Sequence, residues 1–255
     1  MSRAGPRPVT VSRAPARRAR ALRSRAFDAL VFDLDGVLYD GACGYLEHVR
    51  ARQRMFLRER FFMDEISARR TRDEAFARAS QAYKGLMDMG YMEGTTQEEF
   101  TAFCRAGVEA FLRPSAELEA TLRAMRGTRR VVFTNTSEIE GERALRCLGL
   151  DTDANDVFVR VYGGLFTAPA CKPERAAFEK VFADLGGDVS PERCVMFEDS
   201  MKNLKTAKSL GMRTVFVRTR GETPPSEEDV TRYCDAVVDS LTDISLREQM
   251  PELFA

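Results

Sequence analysis

Asp33 and Asp35 stand two residues apart in Asp33-Leu34-Asp35-Gly36, directly after the apolar run Ala29-Leu30-Val31-Phe32. Residues two apart on an extended chain point to one face. Two carboxylates so placed repel unless a cation lies between them or one of them holds a proton. The pattern suits a metal site in which one carboxylate attacks and the other shuttles a proton. It also suits an ordinary acid-rich turn after a strand, so the rest of the chain has to decide between the two.

Three later segments repeat the arrangement of an apolar run ending in polar residues. Val132-Phe133-Thr134-Asn135 closes a run with a hydroxyl and an amide, where backbone N–H groups can bind phosphate before a helix. Thr and Asn also serve as plain helix caps. Lys172-Pro173 opens a helical segment; a cation there opposes the helix dipole, which an anionic ligand would offset, unless the lysine is simply exposed. Phe197-Glu198-Asp199-Ser200 ends a buried run with two acids suited to an oxygen-rich magnesium shell, or with residues that cap a helix. Four strand ends thus offer, in order, a nucleophile, a hydroxyl, a cation and metal acids.

The elements that must carry these residues alternate. Apolar runs of the kind found in fully buried parallel strands lie at 29–32, 130–133, 194–197 and 214–217, with a weaker one at 236–238. Amphipathic segments run between them at Glu138 to Leu148, Pro173 to Leu185 and Met201 to Leu210, each stopped by glycine, and Pro173 sits where a first helical turn accepts proline. This is an α/β chain with a doubly wound parallel sheet, whose ligands belong at the carboxyl ends of the strands. Between the first and second runs the pattern is helical, over Glu47 to Phe61, Ser67 to Met89 and Thr96 to Phe111, the last opening with the capping box Thr96-x-x-Glu99. The expected organisation is a basic tail over 1–26, a Rossmann-like core over 27–40 and 114–255, and an all-helical insert over 41–113. Gly41, Gly44 and Pro114 mark the hinges of that insert.

Composition narrows the classes. Of the 39 Lys and Arg, eight arginines fall in the first 27 residues with no acid among them, leaving 31 basic against 39 acidic residues for the remainder. An acidic body argues against a nucleic-acid polymer as partner, and charges break every apolar run before the roughly 20 residues that span a bilayer. The basic segment has the composition of an organelle transit peptide and equally of a disordered tail. The expected location is therefore cytoplasmic, or chloroplast or mitochondrial if the segment is a transit peptide. Six cysteines without a C-x-x-C pair and a single histidine, His48, argue against a zinc cage, and Cys147 and Cys194 read as small buried thiols. No feature of the sequence bears on oligomeric state.

With these residues in place the chain resembles the haloacid dehalogenase superfamily of phosphatases. Its four signatures appear as FDLDGVLYD, FTNT, CKP and EDSMKN, and the likeness runs from about Phe27 to Arg218, including a helical cap inserted after the first signature. The resemblance implies that Asp33 is the nucleophile and Asp35 the general acid and base. It implies that Thr134, the Asn135 backbone and Lys172 hold the transferring phosphoryl group, and that Asp33, the Asp35 carbonyl and Asp199 bind Mg²⁺. An acid at position 35 favours phosphate over halide chemistry. The fourth signature departs from the common form in having Glu198 in place of glycine and Asn203 in place of the later acid.

The forms EDS-x-x-N and LYD, Tyr83-Lys84 with Gly90, and the runs ALRCLGL and CKPERAAFEKV resemble the pyrimidine 5′-nucleotidase subgroup. That likeness implies a small-molecule phosphate monoester as substrate, a nucleoside 5′-monophosphate such as UMP or CMP. Tyr39, Tyr45, His48, Tyr83, Tyr91 and Phe100 are the rings available to stack on a base or to pack the cap, and Lys84 and Arg50 are cations available to a sugar or acid substrate. The competing expectations are a phosphoglycolate or sugar-phosphate phosphatase, a phosphomutase, and a non-catalytic interaction protein that keeps the fold.

Overall fold

The computed structural model of the protein describes residues 27–150, 152–153, 156–220 and 223–255. The basic segment expected to be a tail or transit peptide lies outside them. Six strands form one parallel sheet in the order β3-β2-β1-β4-β5-β6: β1 (Phe27–Phe32), β2 (Gly127–Phe133), β3 (Arg160–Tyr162), β4 (Cys194–Glu198), β5 (Arg213–Val217) and β6 (Ala236–Val238). The five apolar runs of the sequence are five of these strands. The sixth, β3, was not expected: only three residues long, at the sheet edge, its Arg-Val-Tyr carries no apolar run to announce it.

Side chains alternate across the sheet with the strand period of two. Leu30, Phe32, Val132, Val195 and Phe197 pack on one face with the helical insert, and Phe32 stacks on Phe197 at 4.4 Å between ring centroids. Ala29, Val31, Val131, Phe133 and Met196 pack on the other, against Phe178, Val181 and Leu204. Burying both faces is what requires continuous apolar runs instead of alternating ones. The order reverses between β1 and β4, which start next to each other but lead to opposite edges, and such a switch point opens the crevice in which open α/β sheets bind ligands.

Helices alone occupy the described chain between β1 and β2: α1 (Tyr45–Phe61), α2 (Glu65–Ala79), α3 (Ala82–Asp88), α4 (Gln97–Arg105) and α5 (Ala116–Ala124), with short 3-10 turns at Gly41–Cys43 and Val108–Ala110. The capping box of Thr96 and Glu99 is formed at the start of α4. The single helix expected over Ser67 to Met89 is instead two. Ser80 takes a left-handed conformation (φ 55°) and turns the chain back, and α3 then crosses α2 so closely that a Cβ on Gly85 would lie 1.9 Å from the Ala75 carbonyl oxygen. The helix expected from Thr96 to Phe111 likewise ends at Arg105 and resumes only as the 3-10 turn.

Beyond β2 the chain adds α6 (Glu138–Cys147), α7 (Gly164–Thr167), α8 (Arg175–Leu185), α9 (Met201–Ser209), α10 (Glu227–Tyr233) and α11 (Ser245–Gln249). Pro173 is not in the first turn of α8. The chain turns with the Glu174 N–H on the Cys171 carbonyl, and the helix begins at Arg175. Among the described residues no helix is long and apolar enough to cross a membrane. All six cysteines are free; Cys194 is buried as expected, whereas Cys147 is half-buried.

Candidate active site

Strand register brings the signature residues to one level. Phe32 pairs with Val132 on one side and Phe197 on the other, so the chain leaves β1, β2 and β4 side by side at Asp33, Thr134 and Glu198. The Asp33 N–H on the Phe197 carbonyl (2.9 Å) and the Thr134 N–H on the Tyr162 carbonyl (2.9 Å) continue the sheet past the strand ends. Asp33, Asp35, Thr134, Asn135, Lys172 and Asp199 all line one cavity of about 1350 Å³.

Lys172 is 1% exposed, so it is no surface lysine. Its ammonium lies 2.9 Å from Asp33 Oδ1 and 2.8 Å from Glu198 Oε2 and faces the Phe133 ring at 5.1 Å. Burial alone would lower its pKa, but the two carboxylates carry it above the ordinary lysine range. Lys172 precedes α8 by three residues, so the expected opposition to that helix dipole is absent; the acids across the cavity are its counter-charge. Asn135 fixes this loop: its amide oxygen accepts the Lys172 N–H (2.8 Å) and its amide nitrogen donates to the Lys172 carbonyl (2.9 Å). Ser137, not Thr134 or Asn135, is the N-cap of α6, and the Thr134 hydroxyl accepts the Thr136 N–H at 3.2 Å.

Burial, reinforced by the charge on Glu198, pushes the Asp33 carboxyl up to about 8. Asp199 is pushed to about 6 by burial and by Asp33, and Glu198 is also raised, chiefly by burial. Burial and mutual repulsion thus raise all three acids above the ordinary carboxylate range, which a bound divalent cation would reverse. Asp33, Glu198 and Asp199 can each offer one carboxylate oxygen with all three oxygens inside 4.8 Å, the hard donor set that suits Mg²⁺. Asn203 Oδ1, buried beside them on α9, has no hydrogen-bond partner in the protein and is a further oxygen donor for the shell or its water. These residues fit a bound magnesium.

The Asp35 carboxylate stands outside that cluster. Burial would raise it, but the Arg105 guanidinium, aided by the Tyr39 hydroxyl, holds it below the usual carboxylate range. Arg105 Nη1 donates to Asp35 Oδ1 at 3.1 Å, Nη2 donates to Oδ2, and the Tyr39 hydroxyl donates to Oδ1. Gly36 explains the fourth letter of the first signature. At φ +80° its backbone suits glycine, and a Cβ there would lie 2.3 Å from Asp199 Oδ2.

Sequence reasoning missed several residues of the site. Arg105 lies 70 positions from its partner, and only the packing of α4 over the sheet brings them together. Thr219, after β5, donates to Asp199 Oδ2 at 2.8 Å. Gln81, at the start of α3, donates to the Asn135 carbonyl at 2.5 Å, and the buried Thr136 hydroxyl lines the cavity without a partner. Of the rings offered for stacking, Tyr83 and Phe100 border the cavity. Tyr39 is engaged with Asp35, Tyr45 is fully buried, His48 packs on Phe111 and Tyr91 packs on Phe61. Lys84 pairs with Asp88, while Arg50 lines the cavity. Cys171 is buried and its thiol is pushed to about 12, chiefly by burial, which makes it inert.

Comparison with known proteins bears on the fold and the family. No protein with a curated description matches the chain. A haloacid dehalogenase-like protein of unknown function from Agrobacterium tumefaciens superposes with a TM-score of 0.57 at 19% identity, covering 88% of this chain and 99% of that one. A predicted phosphoglycolate phosphatase from Haemophilus somnus gives 0.57 at 19% identity, with 86% and 96% covered. A β-phosphoglucomutase from Clostridium difficile gives 0.53 at 19% identity, with 89% and 98% covered. At such identities the likeness speaks to fold. The family model for hydrolases of the haloacid dehalogenase-like type matches residues 27–211, and the chain belongs to that family.

Proposed function

We propose that the protein is a Mg²⁺-dependent phosphatase that cleaves small-molecule phosphate monoesters through an aspartyl-phosphate on Asp33. The observation that supports this reading is the buried Lys172 ammonium held at 2.9 Å from Asp33 and 2.8 Å from Glu198, a cation within reach of phosphoryl oxygens transferred to Asp33. Asp33 Oδ, ionised when the metal site is filled, attacks phosphorus, and the ester oxygen leaves with a proton from Asp35, which can carry that proton only once the Arg105 fork that keeps it ionised is released. Asp35 then takes a proton from the water that attacks phosphorus and returns Asp33 as a carboxylate. Thr134 and the Asn135 backbone hold the phosphoryl group, and Asp33, the Asp35 carbonyl and Asp199 hold the metal. Bound magnesium neutralises charge on the transferring group and orients it. Residues 41–113 serve as the cap that excludes water and selects the leaving group, with 27–40 and 114–255 as the core.

Nucleoside 5′-monophosphates are the first proposed substrate class, supported by the nucleotidase-like sequence runs and by Tyr83 and Phe100 at the cavity wall. A second class, small esters with an anionic leaving group such as phosphoglycolate, is favoured by the position of Arg105 beside Asp35. Phosphate release from a panel of both classes, with and without Mg²⁺, tests the proposal. Magnesium-dependent release supports it, and folded protein inert on every ester rules it out. Interconversion of sugar phosphates without net release would select a phosphomutase.

A further inference from the structure

Arg105 closes α4, and its side chain is buried beneath the helical insert yet reaches the cavity wall. Asp35 is its one ion-pair partner among the described residues. The guanidinium spans both carboxylate oxygens, Nη1 on Oδ1 at 3.1 Å and Nη2 on Oδ2, and the Tyr39 hydroxyl adds a second donor to Oδ1. The arginine is held from behind as well: its charge lies over the Tyr45 ring at 5.7 Å, and its carbonyl accepts the Tyr45 hydroxyl at 3.1 Å. With the fork closed, the guanidinium engages both Asp35 oxygens and holds the carboxylate ionised.

To give a proton to an ester oxygen Asp35 must itself be protonated, which removes the charge that pairs with Arg105. A buried guanidinium gives up a carboxylate at little cost only when another acceptor of matching charge replaces it, because an unpaired buried cation is strongly unfavourable. The group that arrives beside Asp35 with the ester oxygen is the leaving group itself. A planar fork matches a carboxylate or a second phosphoryl group, which it grips through two parallel hydrogen bonds.

We propose that Arg105 is a specificity-determining residue that binds an anionic substituent, a carboxylate or second phosphoryl group, carried by the leaving group close to the ester oxygen. This rests on the phosphatase reading and takes the second of its two substrate classes. An ester with a neutral leaving group has nothing to exchange for Asp35 and leaves the fork shut.

Matched esters test it. The magnesium-loaded full chain is assayed for kcat/KM on 2-phosphoglycolate and on ethyl phosphate, which differ by the carboxylate, alongside nucleoside 5′-monophosphates and p-nitrophenyl phosphate. The wild type is expected to prefer phosphoglycolate over ethyl phosphate by about 100-fold or more, the scale set by a site built to pair a polar group that one substrate lacks. Arg105→Gln should erase most of that preference by lowering kcat/KM on phosphoglycolate far more than on ethyl phosphate, beyond the loss both esters share through Asp35, and Arg105→Lys should restore part of the preference. Glycolate should inhibit the wild type competitively where ethanol does not, a reading that needs no variant. Equal preference in the wild type, equal loss on both esters in Arg105→Gln, or glycolate without effect overturns the proposal. Hydrolysis of p-nitrophenyl phosphate in that same experiment shows the phosphatase reading intact; failure on every ester removes the reading and the proposal together.

Discussion

Lys172, in the loop before α8, and Asp33, at the end of β1, form a buried ion pair at 2.9 Å although they lie 139 residues apart in sequence. The pair sits where β1 and β4 diverge, and Glu198 at 2.8 Å completes it from the neighbouring strand. One ammonium between two carboxylates leaves the cluster net negative, and that excess is what a divalent cation would neutralise.

Replacing the lysine therefore has two effects. Lys172→Ala should lower kcat by about 10²- to 10³-fold, the range for removing one preorganised donor from a transition state. It should also destabilise metal-free protein by roughly 3–5 kcal/mol, because it strands two buried acids. Steady-state kinetics with added Mg²⁺ and thermal melts in EDTA read the two effects separately; an unchanged kcat would remove Lys172 from the phosphoryl site.

The crowded acids give stability a pH dependence of definite sign. Asp33 is raised from 3.8 to about 8 in the folded protein, so between those values the native state retains a proton that the unfolded chain has released. The metal-free protein should lose stability as pH rises through this window, with Asp199, raised to about 6, adding to the loss. Asp33→Asn should then stabilise the metal-free protein more at pH 8 than at pH 5. Thermal melts of both proteins in EDTA check this, and a difference that does not vary with pH contradicts it.

Magnesium requires the same carboxylates deprotonated, so the stabilisation it confers should grow with pH over that window. Melts with and without Mg²⁺ at several pH values measure it. A magnesium shift larger at pH 5 than at pH 8 would place the metal elsewhere.

Asp35→Asn should slow both proton transfers, each by roughly 10²- to 10⁴-fold. With p-nitrophenyl phosphate, whose leaving group needs no proton, the first step should survive while dephosphorylation stalls. Rapid mixing should then show a burst of nitrophenolate followed by a slow steady state, and the absence of a burst on this variant would count against Asp35 as the base of the second step.

At the turn of the first signature, Gly36→Ala places a methyl 2.3 Å from Asp199 Oδ2 in a left-handed backbone at φ +80°. The strain should cost about 1–3 kcal/mol and weaken magnesium binding by displacing Asp199. Calorimetric titration of Mg²⁺ with melts in parallel decides between this and a purely local effect, which would leave affinity unchanged.

Much of this arrangement is legible in sequence because parallel strands buried on both faces must be continuously apolar, and three of the five runs here end at candidate site residues. Residues 29–32, 130–133 and 194–197 announce β1, β2 and β4 together with the acids, hydroxyl and amide that follow them. What escapes depends on tertiary contact. Strand β3 owes its structure to pairing with β2 and has too few residues for a periodicity. The break between α2 and α3 at Ser80 follows from the close crossing at Gly85, which no local propensity encodes. Arg105 is one arginine among many on charged cap helices until packing sets it on Asp35. In the sequence Lys172 stands out only for its clash with a helix dipole, whereas its charge is met by Asp33 and Glu198.

The central claim is a covalent phosphoryl group on Asp33. Acid quench of the magnesium-loaded enzyme during turnover of a radiolabelled phosphate monoester, followed by peptide mapping, tests it most directly. Label is expected on the peptide carrying Asp33, lost in Asp33→Asn together with on the order of 10⁴-fold or more of the activity. Label on another residue, or full turnover by Asp33→Asn, would contradict it.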